Sequence, residues 1–338
     1  MTSRSILAAL LRNGKSSVVG PVASRPPASS ARLVLYLALG GDLLIAAIKF
    51  AGAMLTGSSA LFSEGIHSTV DALSEVLLLY GLTVSRRPST IKHQLGFGRE
   101  VFFWNLIVAL AILALGAGAA LLDGIRQIVD PSPLAAPLIS YGVLAIGLLA
   151  EIPGLVGAIR NVNAKRGRSS WARYVRISRD PTAITVLFGS VSGVLGLLVA
   201  AGGTFLSTAL RSMAWDGVAS VLIAVMLGAT ALFLAANSKA LLIGVPASPS
   251  TVSSILKLAA SHPAVEQANG AITVHLAPDQ ILVAMSVTFR PSLSTLEIQD
   301  AVAAIDTAER AAHPAIFIFL LKPQSVDQYA AFCSGQGW

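Results

Sequence analysis

Charge is what this chain of 338 residues has least of: Asp, Glu, Lys and Arg make up 12% of it, about half the share usual in a soluble domain. Hydrophobic residues reach 54% and the mean hydropathy is +0.72. An ordinary soluble enzyme is excluded by that balance, and a chain dissolved largely in lipid is indicated. Cysteine is nearly absent as well. With Cys333 alone, there is neither a disulfide framework nor a thiolate metal cluster. No nucleophile–base set, Gly-rich phosphate loop or metallohydrolase motif appears, so nothing points to an enzyme.

The net charge of +7 would suit nucleic acid if the basic residues were clustered for it, but they are distributed otherwise. Five (Arg4, Arg12, Lys15, Arg25, Arg32) precede the first apolar span, and two polar connections hold four (Arg86, Arg87, Lys92, Arg99) and seven (Arg160, Lys165, Arg166, Arg168, Arg173, Arg176, Arg179). That is a membrane-topology pattern, not a nucleic-acid footprint.

Apolar runs near 33–56, 59–83, 102–124, 137–158, 182–205 and 213–236 each exceed the roughly 20 residues needed to cross a bilayer. The connections after the second and fourth are basic and the others are not, so both termini are expected on the cytoplasmic side. No acid occurs before Asp42. That feature also suits a mitochondrial presequence, but basic tails follow from the topology rule itself, and the reading taken is a cytoplasmic tail in a cell (inner) membrane protein. The expected organisation is a disordered tail over 1–32, a six-helix transmembrane domain over 33–240, a cytoplasmic domain over 246–323 and a C-terminal tail over 324–338.

Past Lys239 the spacing becomes that of a soluble domain. Pro249 to Ser261 reads as a helix, Gly270 to Leu276 and Ile281 to Phe289 as strands around Ala277-Pro278-Asp279-Gln280, Ser294 to Ala312 as a helix and Ile316 to Leu321 as a strand. Ser294 with Glu297 is a capping box. The fold class is thus an α-helical membrane protein with a small ferredoxin-like αββαβ (α+β) domain. A sheet domain so small is marginal alone, which predicts a homodimer formed through it.

The second span carries Glu64, His67, Asp71 and Glu75 at separations of three, four and four residues. At 100° per residue they fall within roughly 80° of one helix face. A mid-membrane acid costs about 2.5–3.5 kcal/mol on insertion scales and a Leu returns about 0.5. The stripe therefore meets other helices or a water-filled cavity, not lipid. His67 and Asp71, at i and i+4, suit a divalent cation, whereas Glu64 has Lys49 of the first span at similar depth as a structural partner. Asp42 lies level with Glu75, so the two could share a proton or a cation. Glu151, followed by Pro153, and Asp216 read as structural or interfacial.

The stretches Leu55 to Asp71, Leu95-Gly-Phe-Gly-Arg99-Glu100-Val-Phe-Phe-Trp104, Asp180-Pro181-Thr182, Trp215 to Ser220, Ala240 to Gly244 and Val274 to Asp279 resemble the cation diffusion facilitator family. They resemble in particular its branch with an Arg-Glu-aromatic-aromatic-Trp motif opening the third helix. The resemblance implies export of a divalent cation, zinc or manganese, by proton antiport from a homodimer, with the metal as cargo and no resident cofactor. His67 and Asp71 match the family's HxxxD ligands. On the fifth helix, Val186 and Ser190 stand at the other two ligand positions, with Gly189 where an acid is common, and that span has no ionisable side chain. The metal ligands expected are therefore His67, Asp71, Asp42 and Glu75, an oxygen-rich set favouring a harder cation such as Mn²⁺. The alternative is a transport-incompetent homologue acting as a regulatory or structural subunit. His262, His275 and His313 could form a peripheral or interface metal site, although no pair has ligand spacing, and histidines without metal are the simpler reading.

Overall fold

The computed structural model describes residues 29–131, 136–167, 170–178 and 180–335. The expected basic tail lies outside the described residues as far as residue 28, as do Arg168 and Arg179. Six long helices dominate: α1 (Ser29–Thr56), α2 (Ser59–Ser85), α3 (Glu100–Val129), α4 (Pro137–Arg166), α6 (Pro181–Ala209) and α7 (Ala214–Ile243), with a short α5 (Trp171–Ile177) before α6. Each has 27 to 30 residues, about 40 Å or more at 1.5 Å per residue, and so outreaches a hydrocarbon core of about 30 Å. Five contain an apolar stretch suited to crossing a membrane. The sixth, α2, has the length but carries the ionisable stripe, and it is the helix the others enclose, packed against α1, α3, α6 and α7.

The helices overrun the predicted spans mainly at the polar ends. Helix α4 continues to Arg166, two turns past its apolar stretch, and α1 already begins at Ser29. Within α3 the segment Ile112–Ala117 is a π-helical turn, a local widening that period-3.6 patterning does not reveal. Helices α3 and α7 touch backbone to backbone: a Cβ on Gly217 would stand 2.8 Å from the Gly124 carbonyl oxygen, so only glycine permits the approach. We call the side bearing the basic connections the basic face and the opposite side the far face. At the far face Ser58 caps α2 by accepting from the Leu61 amide, and its hydroxyl donates to Asp216 at 2.9 Å. Asp216, fully buried, also accepts from the Ala60 amide at 3.1 Å. It is a structural acid, as its sequence position suggests.

The C-terminal domain has the expected order: α8 (Pro249–Ala260), β1 (Val265–Ala277), β2 (Gln280–Phe289), α9 (Thr295–Ala312) and β3 (Ile316–Pro323). The sheet order is β1-β2-β3, with β1 antiparallel and β3 parallel to β2. Ile255, Val283, Met285, Val287 and Ile305 fill the core between sheet and helices. Both hydrogen bonds of the Ser294–Glu297 capping box form, and these bonds hold the exposed Glu297 carboxyl below its ordinary value. Strand β1 starts five residues before the predicted Gly270, because two irregularities in its pairing with β2 hide the alternation there. Residues expected as a tail contain a helix, α10 (Val326–Gly335), started by reciprocal bonds between Ser325 and Gln328. The domain joins the bundle where the β1–β2 turn meets Gly98, whose missing Cβ would lie 2.7 Å from the Leu276 carbonyl oxygen.

Candidate metal-transport site

The stripe on α2 does not face lipid. Its Asp71 and Glu75, with residues of α1, α3, α4 and α6, line one cavity of about 140 Å³. Four carboxylates line it: Asp42 from α1, Asp71 and Glu75 from α2 and Glu151 from α4. Ser68, Ser74, Thr185 and Ser190 add hydroxyl oxygens. Asp42 and Glu75, predicted to lie level with one another, both line this cavity. Glu75 Oε2 keeps no partner.

His67 is placed differently from its neighbours. It is 2% exposed, and it sits beside the cavity, outside its lining. Its Nε2 lies 3.5 Å from Asp71 Oδ2, too long for a formed hydrogen bond, and neither ring nitrogen has a hydrogen-bond partner. An imidazole with both nitrogens buried and unpaired is costly unless something else engages it. Among the described residues, no three His, Cys, Asp or Glu side chains converge as a ready-made metal cluster. The ligand candidates are therefore gathered round one space without being closed on a centre.

Sequence reasoning set Glu151 aside, and the structure brings it in. Pro153 is accommodated inside α4, and the Glu151 carboxylate lies against Gly193 of α6, 3.1 Å from where a Cβ would stand. Gly193 is one turn from Ser190, which with Val186 and Gly189 also lines the cavity. An acid from α4 thus reaches a part of α6 that carries none of its own. The signal was a lone acid within an apolar span, but which face of α4 it occupied could not be read.

Lys49 meets Glu64, as their depths suggested. Its ammonium donates to Glu64 Oε2 at 3.1 Å and to Ser68 Oγ at 2.7 Å, and both charged side chains are 0% exposed.

In the C-terminal domain the three histidines stand apart. His262 accepts from the Ala264 amide, His275 lies 3.4 Å from the Ala277 carbonyl, and His313 lies 3.3 Å from Ser254 Oγ and 3.7 Å from Glu309 Oε2. Glu309 is buried with neither oxygen hydrogen-bonded, and that burial pushes its carboxyl up to about 7.

A polytopic bundle enclosing an acidic cavity on an ionisable helix, with an αββαβ domain behind it, defines a membrane transporter class. Residues 35–243 match the family model for the cation efflux transmembrane domain, and the chain belongs to that family, the cation diffusion facilitators. It is therefore a member of a transporter family, not of an enzyme family, and the family's description names cation efflux. The proton-coupled zinc antiporter SLC30A9, mitochondrial, of Xenopus laevis is 34% identical over 212 residues, 62% of this chain and 38% of that protein. The human protein of that name is 30% identical over 219 residues, 64% of this chain and 39% of that protein. The metal tolerance protein C4 of Arabidopsis thaliana is 30% identical over 224 residues, 65% of this chain and 49% of that protein. The matched chain thus spans less than half the length of each of these relatives.

These relatives correct one expectation. Placement in the cell membrane is overturned by the mitochondrial designation that the zinc antiporters carry. The acid-free N-terminal composition fits either compartment, and the topology rule decides only which face is basic.

Proposed function

We propose that this chain exports a divalent cation across a mitochondrial membrane in exchange for protons, with its basic face toward the matrix. The observation that carries the reading is the single cavity into which α1, α2 and α4 direct Asp42, Asp71, Glu75 and Glu151. Four carboxylates in so small a volume cannot all stay ionised without a compensating charge. Protons and a divalent cation are alternative compensators, and binding the metal requires its ligands to release protons. Glu151 supplies from α4 the acid that α6 lacks. His67 joins the ligand set when its ring turns toward Asp71, adding nitrogen to a site otherwise made of oxygen. With the ring turned away the site favours Mn²⁺, and with the ring engaged it favours Zn²⁺. The working unit is a homodimer through the C-terminal domain, a reading supported by Leu320, 56% exposed on the edge strand β3.

The second reading, a transport-incompetent subunit, is favoured by the absence, among the described residues, of a converged ligand cluster and by the lack of any acid on α6. Metal binding and flux with the purified, reconstituted protein separate the two. Asp71→Asn and Glu151→Gln are each expected to weaken binding by about tenfold or more. His67→Ala should weaken Zn²⁺ more than Mn²⁺, and Ser190→Asp should raise Zn²⁺ affinity. If the unsubstituted protein binds and moves neither metal, and Ser190→Asp confers no binding, the subunit reading replaces the transporter.

A further inference from the structure

Four of the helices that line the cavity, α1, α2, α4 and α6, each have their next inward-facing feature, on the far-face side, at one shared layer. On α1 the cavity takes Asp42 and Ile45, and Lys49 follows one turn outward; on α2 it ends at Ser68, with Glu64 one turn outward. On α4 and α6 the corresponding positions are Gly147 and Gly196. A Cβ on Gly147 would stand 3.2 Å from Lys49 Cε, and one on Gly196 would collide with Glu64 Oε1. The ion pair is therefore wrapped on both sides by glycines that exist there with no room to spare.

Beyond this layer a second cavity of about 410 Å³ begins, lined by Ala53, Met54 and Phe62 of α1 and α2 and by Ser59, Asp123 and Arg126. Lys49 thus falls between Ile45 of one cavity and Ala53 of the other, and Glu64 between Ser68 and Phe62. Ser68 belongs both to the cavity wall and to the pair, since its hydroxyl accepts from Lys49 at 2.7 Å. Full burial makes such a pair poor value as a stabiliser, because desolvation offsets its attraction and apolar residues of similar volume serve as well. Its place between the linings of two cavities suggests another role.

We infer that the Lys49–Glu64 pair is the gate closing the carboxylate cavity from the far face, and that passage to that face requires this pair to part. A bonded pair and a parted pair are two discrete arrangements, which is what alternating exposure of one site demands. Glu64 Oε1, left without a hydrogen-bond partner against Gly196, is the atom positioned to change partner when the layer opens. The inference rests on the transport reading, but its test involves no metal and no proton gradient.

In a Cys333→Ser background, Ser190→Cys places a thiol in the cavity. Sealed vesicles with the far face outward are treated with a membrane-impermeant thiol reagent. With Lys49 and Glu64 intact, labelling is expected only after the basic face is exposed. Lys49→Met combined with Glu64→Gln, which removes both charges at similar volume, should raise far-face labelling by on the order of tenfold through a shift in the closed–open equilibrium. Gly196→Ala, which displaces the Glu64 carboxylate without deleting a charge, is the second arm and should act in the same direction even if the double variant is not retained in the membrane. If far-face labelling in the folded variants stays within about twofold of the reference, the pair is a structural tie and the gate is elsewhere. That result would leave the transporter reading to the flux measurement.

Discussion

Replacing Gly196 by alanine tests the packing at the gate with one methyl group. The new Cβ would occupy the space of Glu64 Oε1, while Oε2 of the same carboxylate is held by Lys49 at 3.1 Å. The carboxylate then has two ways to yield. It can stay and force α2 and α6 apart, an overpacking cost of about 1–3 kcal/mol, or it can swing away and leave Lys49 with Ser68 alone, which approaches the roughly 3–5 kcal/mol of a broken buried pair. Alanine returns about 1 kcal/mol through its better helix propensity. The expected net loss is about 2 kcal/mol. Gly189 on the same helix is the control, because nothing lies within 4 Å of its missing Cβ. Gly189→Ala should be neutral or stabilise by about 0.5–1 kcal/mol. Thermal unfolding in detergent, followed through tryptophan fluorescence, measures both. Glu64→Asp retracts the carboxylate by one methylene, so adding it to Gly196→Ala should recover part of the loss, a coupling of about 0.5 kcal/mol or more. If Gly196→Ala unfolds together with Gly189→Ala and shows no coupling to Glu64, the close approach described here is wrong.

Two further outcomes are expected. Glu309 has its carboxyl raised by burial from 4.5 to about 7, so the folded chain binds that proton more tightly than the unfolded one; stability is highest below the unfolded value and is lost as pH rises through about 7. Glu309→Leu should therefore raise the unfolding midpoint of the full chain at pH 8 and hardly at all at pH 4, and parallel midpoint–pH profiles for the two proteins would refute the assignment. For topology, single cysteines replacing the exposed Asp130 and Ser89 in a Cys333→Ser background should label oppositely: in mitoplasts an impermeant maleimide should reach the first at once and the second only after detergent. Labelling of both from one side would contradict the six-span arrangement.

Much of this arrangement was legible because it follows from local rules. The Glu64, His67, Asp71 and Glu75 stripe could only face inward, since the spacing fixes the face and the insertion cost forbids lipid. The Ser294–Glu297 box announced α9, and the placing of Asp42 level with Glu75 and of Lys49 with Glu64 followed from counting depth along two antiparallel helices. Other features depend on what no single segment records. Glu151 is alone on its helix, so no periodicity told which neighbour it would meet, and only the packing of α4 on α6 at Gly193 brings it to the cavity. The π turn in α3 and the irregularities in β1 leave the apolar pattern shifted without announcing why. Helix α10 was legible and was passed over: Ser325 and Gln328 form a cap that the eye takes for a tail.

The acids of the bundle separate by what compensates them, and depth alone does not make that separation. Asp216 is as buried as any, yet it accepts from the Ser58 hydroxyl and from the Ala60 amide, neutral donors that the fold itself supplies. Asp123 accepts from Ser59 at 2.6 Å in the same way. Glu64 is compensated by a tethered cation, Lys49, which can move but cannot leave. Among the described residues the cavity acids have no cation hydrogen-bonded to them: Asp42 and Glu75 line one cavity, Asp71 has a histidine at 3.5 Å, Glu151 rests against a glycine, and the ammonium of Lys49 is bonded to Glu64 and Ser68 instead. A charge that the fold does not neutralise from within has to be neutralised by something that enters. From far face to basic face the acids thus pass from neutral donors (Asp216, Asp123) through a tethered cation (Glu64) to cavity carboxylates without a hydrogen-bonded cation. Substituting a fixed acid should therefore disturb folding, and substituting a cavity acid should disturb what the cavity holds.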